Sequence, residues 1–194
     1  MASIPTPAAD SVDPRAVRSR VGVLLLILSD GMLVAATLAS HLYLNALNVM
    51  GQFRPAGEHA PSFAIETLLT AVVVGSAVAF WWGSRGLRSG DESVFNEFAW
   101  LAVGLVVIAL VGQVWLIATL DFPSPLHGYA SMTTLIAGYH GAHLVLTAIV
   151  GLLVMGRFTR GRLRGQAYIA EVTSYWWGYV AAVAVAIWLL GFVV

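Results

Sequence analysis

The sequence contains no cysteine and no lysine. Without cysteine, disulfides, thiolate catalysis, iron–sulfur clusters and Cys-ligated zinc or haem are all excluded. Charge is scarce too: Asp, Glu and Arg make up 10% of the 194 residues, against roughly 25% in a soluble domain. Ten arginines balance ten acids, so the formal net charge is +0 and no overall field recruits nucleic acid. No glycine-rich loop that could cradle a phosphate is present, and no stretch of charged, soluble character is long enough for a second domain. What fills the chain instead is apolar, at 59% of residues.

A hydrocarbon layer about 30 Å thick is crossed by roughly 20 helical residues at ~1.5 Å each. Five segments reach that length: Val21–Leu47, Phe63–Trp82, Phe98–Leu120, Ser131–Met155 and Tyr168–Val194. Proline is absent from all of them, and only Asp30, Glu66 and Glu171 carry formal charge within them. The loops hold the breakers, as in Gly51-Gln52-Phe53-Arg54-Pro55 and Phe122-Pro123-Ser124-Pro125. Backbone groups in lipid must be paired within the segment, so each span is helical. The expectation is an all-α, polytopic membrane protein: a flexible tail over 1–20, then a five-helix transmembrane bundle over 21–194. Nine of the ten arginines fall in the tail and the second and fourth loops, and only Arg54 lies on the other side. Arginine bias then puts the N-terminus in the cytoplasm and the C-terminus outside.

An ionisable side chain at mid-bilayer costs ~2.5–3.5 kcal/mol or more, so it turns toward protein and finds a partner. At 100° per residue, Asp30, Thr37, His41 and Asn48 line one narrow stripe of the first helix. On the fourth helix, Thr133, His140, His143 and Thr147 share an arc of about 80°. Asp30 lies about 13 Å from one end of its span, and the two histidines about 13 and 18 Å from the other end of theirs. The matching depths predict that helices one and four touch, with Asp30 accepting a hydrogen bond from His140 or His143. Gly138, Gly141, Ala142 and Gly151 would let backbones approach. Such a contact can be purely structural, can handle protons, or can use the His-x-x-His spacing for metal, although no third ligand is evident. Glu66 lies within reach of His41 or Arg54. Glu171 lies in the first turn of the fifth helix, near the Arg157–Arg164 cluster, and both acids read as anchors. Trp81, Trp82, Trp115, Trp176 and Trp177 read as belt or packing residues.

On the residues alone, a single haem b between His41 and the fourth helix would need ligands at depths differing by more than ~10 Å. An independent small membrane transporter is the competing reading, although paired half-repeats and broken spans are missing.

Several segments together resemble subunit III of the haem-copper oxidases in its short, five-helix bacterial form. Leu28-Ser29-Asp30-Gly31-Met32 resembles the family's Ser-Glu-x-Met, with Asp30 at the buried glutamate. Pro61-Ser62-Phe63-Ala64-Ile65-Glu66-Thr67 resembles the start of the next family helix, with Glu66 where Asn is usual. Ala137-Gly138-Tyr139-His140-Gly141-Ala142-His143 is similar to Thr-Gly-Phe-His-Gly-Leu-His. Glu171 matches a family glutamate ahead of Tyr175-Trp176-Trp177-Gly178-Tyr179-Val180, where Gly178 and, a little further on, Ala181 replace a histidine and an aspartate. The resemblance implies a divergent, non-catalytic subunit of a bacterial inner-membrane oxidase. It would carry no haem or copper of its own, pack on subunit I among other respiratory-complex subunits, touch phospholipid, and support proton uptake and oxygen access. In that setting Asp30, His140 and His143 would tie helices, and Glu171 would face the proton-uptake side.

Overall fold

The computed structural model describes residues 13–55, 62–120 and 127–190. The first twelve residues of the expected tail, the Phe122–Pro125 breaker and the last four residues of the fifth span lie outside them. Five long helices run through the described residues: α1 (Pro14–Ala46), α2 (Phe63–Ser89), α3 (Glu92–Ala118), α4 (Gly128–Thr159) and α5 (Tyr168–Leu190). All five are long and apolar enough to cross a membrane, and no strand occurs among the described residues. The chain is an all-α, multi-pass membrane protein.

The helices overrun the apolar spans because caps, not hydropathy, end a helix. α1 begins at Pro14, behind Asp13, whose side chain accepts from Arg15 N at 2.9 Å. Proline at the first helical position loses no hydrogen bond, since that N–H would be unpaired anyway. Arg15, Arg18 and Arg20 are therefore helical, although the hydropathy pattern assigns them to the tail. α2 continues past Trp82 to Ser89 and stops where Gly90 adopts φ 86°, donating back to Gly86 O and Leu87 O. A left-handed residue there satisfies the last carbonyls at no Cβ cost. Asp91 then caps α3, and α4 runs four residues beyond Met155 to Thr159. At the opposite end, Asn48 organises the turn after α1: its Oδ1 accepts from Phe53 N (2.9 Å) and Arg54 N (3.1 Å).

α2, α3, α4 and α5 close a four-helix ring, α2 meeting both α3 and α5 and α4 meeting both α3 and α5. α1 lies outside this ring in the groove of α4 and α5. The ring's core is aromatic at one height, where Phe80 stacks on Trp177 with centroids 4.1 Å apart, and Phe95 meets Phe80 and Phe158 edge-on. Polar atoms at this height are paired: Trp177 Nε1 donates to Ser76 Oγ (2.8 Å), and that hydroxyl donates to Ala102 O (3.0 Å). Trp176 donates to Thr147 Oγ1 at 2.9 Å. These two tryptophans are core residues, whereas Trp81, Trp82 and Trp115 face outward. Of the small residues on α4, Gly151 is the one that close packing demands, since a Cβ there would come within 2.7 Å of Trp177 and 2.8 Å of Val103. Gly138 has open space around it, and Ala142 is exposed.

α1 contributes only Ala16, Val34 and His41 to the buried set. Apolar packing alone therefore holds it weakly. Side-chain hydrogen bonds do much of the rest.

Candidate functional site

The Asp30 carboxylate is the centre of a cluster linking α1 to α4 and α5. Its Oδ2 lies 2.7 Å from His143 Nε2 and also accepts from the Tyr179 hydroxyl, while Oδ1 accepts from the Tyr139 hydroxyl. His143 Nδ1 lies 2.8 Å from Tyr139 O, the carbonyl one turn back on its own helix. A carbonyl can only accept, so that nitrogen carries a proton. The proton between Nε2 and Oδ2 can then rest on either atom, giving an imidazolium–carboxylate pair or its neutral counterpart. Trp176 stacks on the His143 ring at 5.6 Å, and Tyr179 flanks both. His143 is 5% exposed and the Asp30 side chain 20%, so the cluster sits at the edge of the bundle and not at its axis.

Of the two histidines offered to Asp30, the structure brings His143 and turns His140 away. His140 faces α3, with Nδ1 3.4 Å from Gln113 Oε1. His41, on the same stripe of α1 as Asp30, lies farther along among the Phe53 and Tyr129 rings. Glu66 lines a cavity with His41 and His140, and its side chain forms no hydrogen bond to a described residue. Arg54, the other candidate partner of Glu66, sits over the Tyr129 ring at 5.0 Å. Thr37 turns back on its own helix, donating to Leu33 O at 2.9 Å. Among the described residues, no three His, Asp or Glu side chains converge as metal ligands.

Glu171 forms a second cluster, at the arginine-rich end. Its Oε2 accepts from Arg20 Nη2 at 2.9 Å and lies 3.8 Å from Arg88 Nη1, and its Oε1 accepts from the Tyr175 hydroxyl at 2.5 Å. The expected partners from the Arg157–Arg164 loop are not there. Arg164 lies 3.6 Å from Glu92, and Arg157 donates to Gln166. Arginines of one loop and of the neighbouring helix ends compete for the same acid, and the lengthened α1 and α2 carry Arg20 and Arg88 to it first.

Sequence reading missed Tyr139, Tyr175 and Tyr179. A signal existed: Glu171, Tyr175 and Tyr179 recur at i, i+4 and i+8 on one face of α5, and Tyr139 precedes His143 by one turn. Gln113 is the one amide within the third span, and nothing in its immediate sequence marks its partner.

No family model matches the chain. Among curated proteins, the cytochrome c oxidase subunit 3 of Thermostichus vulcanus is 23% identical over 159 residues, covering 80% of this chain and 78% of that protein. The protein of that name from Corynebacterium diphtheriae is 25% identical over 179 residues, covering 87% and 84%. The one from a Synechocystis strain is 20% identical over 171 residues, covering 87% and 72%. Fold and site define a class: a polytopic helical membrane protein whose peripheral helix is fastened to a four-helix ring through a carboxylate, an imidazole and two phenols. Within that class, the likeness along most of its length, at 20–25% identity, is to cytochrome c oxidase subunit III proteins.

Proposed function

We propose that this chain is the subunit III of a haem-copper terminal oxidase, a subunit that takes no part in the chemistry itself. It stabilises the catalytic subunit I while electrons pass from cytochrome c or quinol to oxygen and protons are pumped. The observation that carries this reading is the Asp30 cluster, which holds a lightly packed outer helix in a fixed place on the bundle. The relatives' names supply the assembly. The arginine-rich end, with Glu171, Arg20 and Arg88, faces the cytoplasm by the charge rule and stands on the proton-uptake side. Haem and copper belong to the partner subunits. Phospholipid fills the seam between α1 and a neighbouring chain, whose apolar counterpart on α1 includes Leu24, Leu28 and Met32. The membrane is a bacterial inner membrane.

The test is Asp30→Ala in the assembled oxidase. The expected result is weaker retention of this subunit, or a shorter active lifetime during turnover, with the haem spectrum of the purified complex unchanged. Loss of a haem signal from an otherwise intact complex would contradict a purely supporting role.

A further inference from the structure

A partly open cavity of about 140 Å³ lies near the end of the bundle opposite Glu171, with walls from α2, α3, α4 and α5 and with His41 of α1 at its lining. Leu69, Val73, Ala109, Ile136, Leu144 and Ala184 make most of its surface apolar. Into these walls are set polar groups that lack partners. His140 is 7% exposed, and its Nε2 is buried without a hydrogen bond. Because its Nδ1 faces Gln113 Oε1, an acceptor, the neutral ring carries its proton on Nδ1 and offers a bare lone pair at Nε2. His41 Nδ1 is likewise buried and unpaired. The Glu66 side chain lines the same space and has no hydrogen bond to a described residue.

An unmet buried acceptor costs about 1–3 kcal/mol, so an occupant that donates is favoured. Size and wall chemistry narrow the choice. One water needs only ~10–15 Å³, and a cluster of waters against aliphatic walls would leave many of its own hydrogen bonds unmade. An apolar cavity of ~150 Å³ holds one benzene ring. We infer that this cavity is a binding site for a molecule with a single phenolic ring, a phenol or the head of a hydroquinone, whose faces rest on the aliphatic walls while its hydroxyl donates to His140 Nε2. A second hydroxyl would reach toward Glu66 or His41. Neither the Asp30 cluster nor membership of an oxidase enters this inference, so it stands or falls separately.

The probe is 4-fluorophenol, followed by fluorine NMR on the full chain in mild detergent, with 4-fluoroanisole as the matched ring that cannot donate. The expected result is saturable binding of the phenol, about tenfold tighter than the methyl ether, as one neutral hydrogen bond implies. His140→Phe keeps a ring in place but removes the acceptor, and it should bring the two affinities together. Ala109→Leu should fill the cavity and remove saturable binding of both. Equal affinities in the wild-type chain, a preference that survives His140→Phe, or no saturation at all, meaning that the cavity holds water only, would each overturn the assignment. The comparison of the two probes needs no variant, so a misfolded mutant cannot obscure it.

Discussion

α1 is fastened at two heights by the same kind of acceptor, and the difference between the fastenings lies in their surroundings. At Asp30 one carboxylate takes three donors from α4 and α5 within the membrane, where there is little water or salt to compete. At Glu171 the arrangement is inverted: the carboxylate belongs to α5, the donor from α1 is Arg20, and that arginine's side chain is 40% exposed. An exposed ion pair is weakened by solvent and salt, while a buried carboxylate that loses its partners leaves them stranded. The mid-membrane tie therefore fixes where α1 lies, and the end tie guides its entry.

The largest expected break is Asp30→Ala. It removes the only side-chain hydrogen bonds of the Tyr139 and Tyr179 hydroxyls and of His143 Nε2 among the described residues, and it should cost about 2–3 kcal/mol. Thermal unfolding of the detergent-solubilised chain should show the loss equally at low and high salt. A loss that vanished in high salt would put Asp30 in the same category as Glu171. Tyr179→Phe deletes one donor and leaves the others, so about 1 kcal/mol is expected by the same measurement.

Glu171→Gln sharpens the contrast from the other side. Its effect should be visible at 50 mM salt and largely gone near 1 M, where screening acts over about 3 Å. The smallest effect concerns Asp91, outside the membrane, which caps α3. Its carboxylate accepts from Ser93 Oγ at 2.7 Å and from Val94 N at 3.1 Å, and these bonds, the Ser93 hydroxyl first, hold its pKa below the ordinary 3.8. A lowered folded-state value stabilises the fold above the unfolded value, and the gain is lost as pH falls through the folded one. Asp91→Ala should therefore be less stable than the wild type at neutral pH and converge on it only in acid below the folded-state value, which itself lies under 3.8.

The five spans were legible because the lipid allows only one backbone solution and charges are excluded from it. The approach of Asp30 to α4 was legible because periodicity and rise give both a face and a depth. Helix ends were not, since Pro14 and Asp91 start helices and Gly90 stops one through local capping that hydropathy ignores. The choice of His143 over His140 turned on about 60° of helix rotation, which is set by how α4 packs on α3. Tyrosine was the least readable residue: its ring suits core, belt and hydrogen-bonded cluster equally, and only the position of Asp30 in space assigns Tyr139 and Tyr179 to the last.

The most direct measurement is native mass spectrometry of the full-length chain, tagged and drawn from its own membranes in mild detergent, with an absorption spectrum of the same sample. An assembly containing this chain once beside larger, haem-bearing subunits is the predicted result. A chain that flies alone or only with copies of itself, with no haem absorbance, would contradict the account and favour a free-standing transporter.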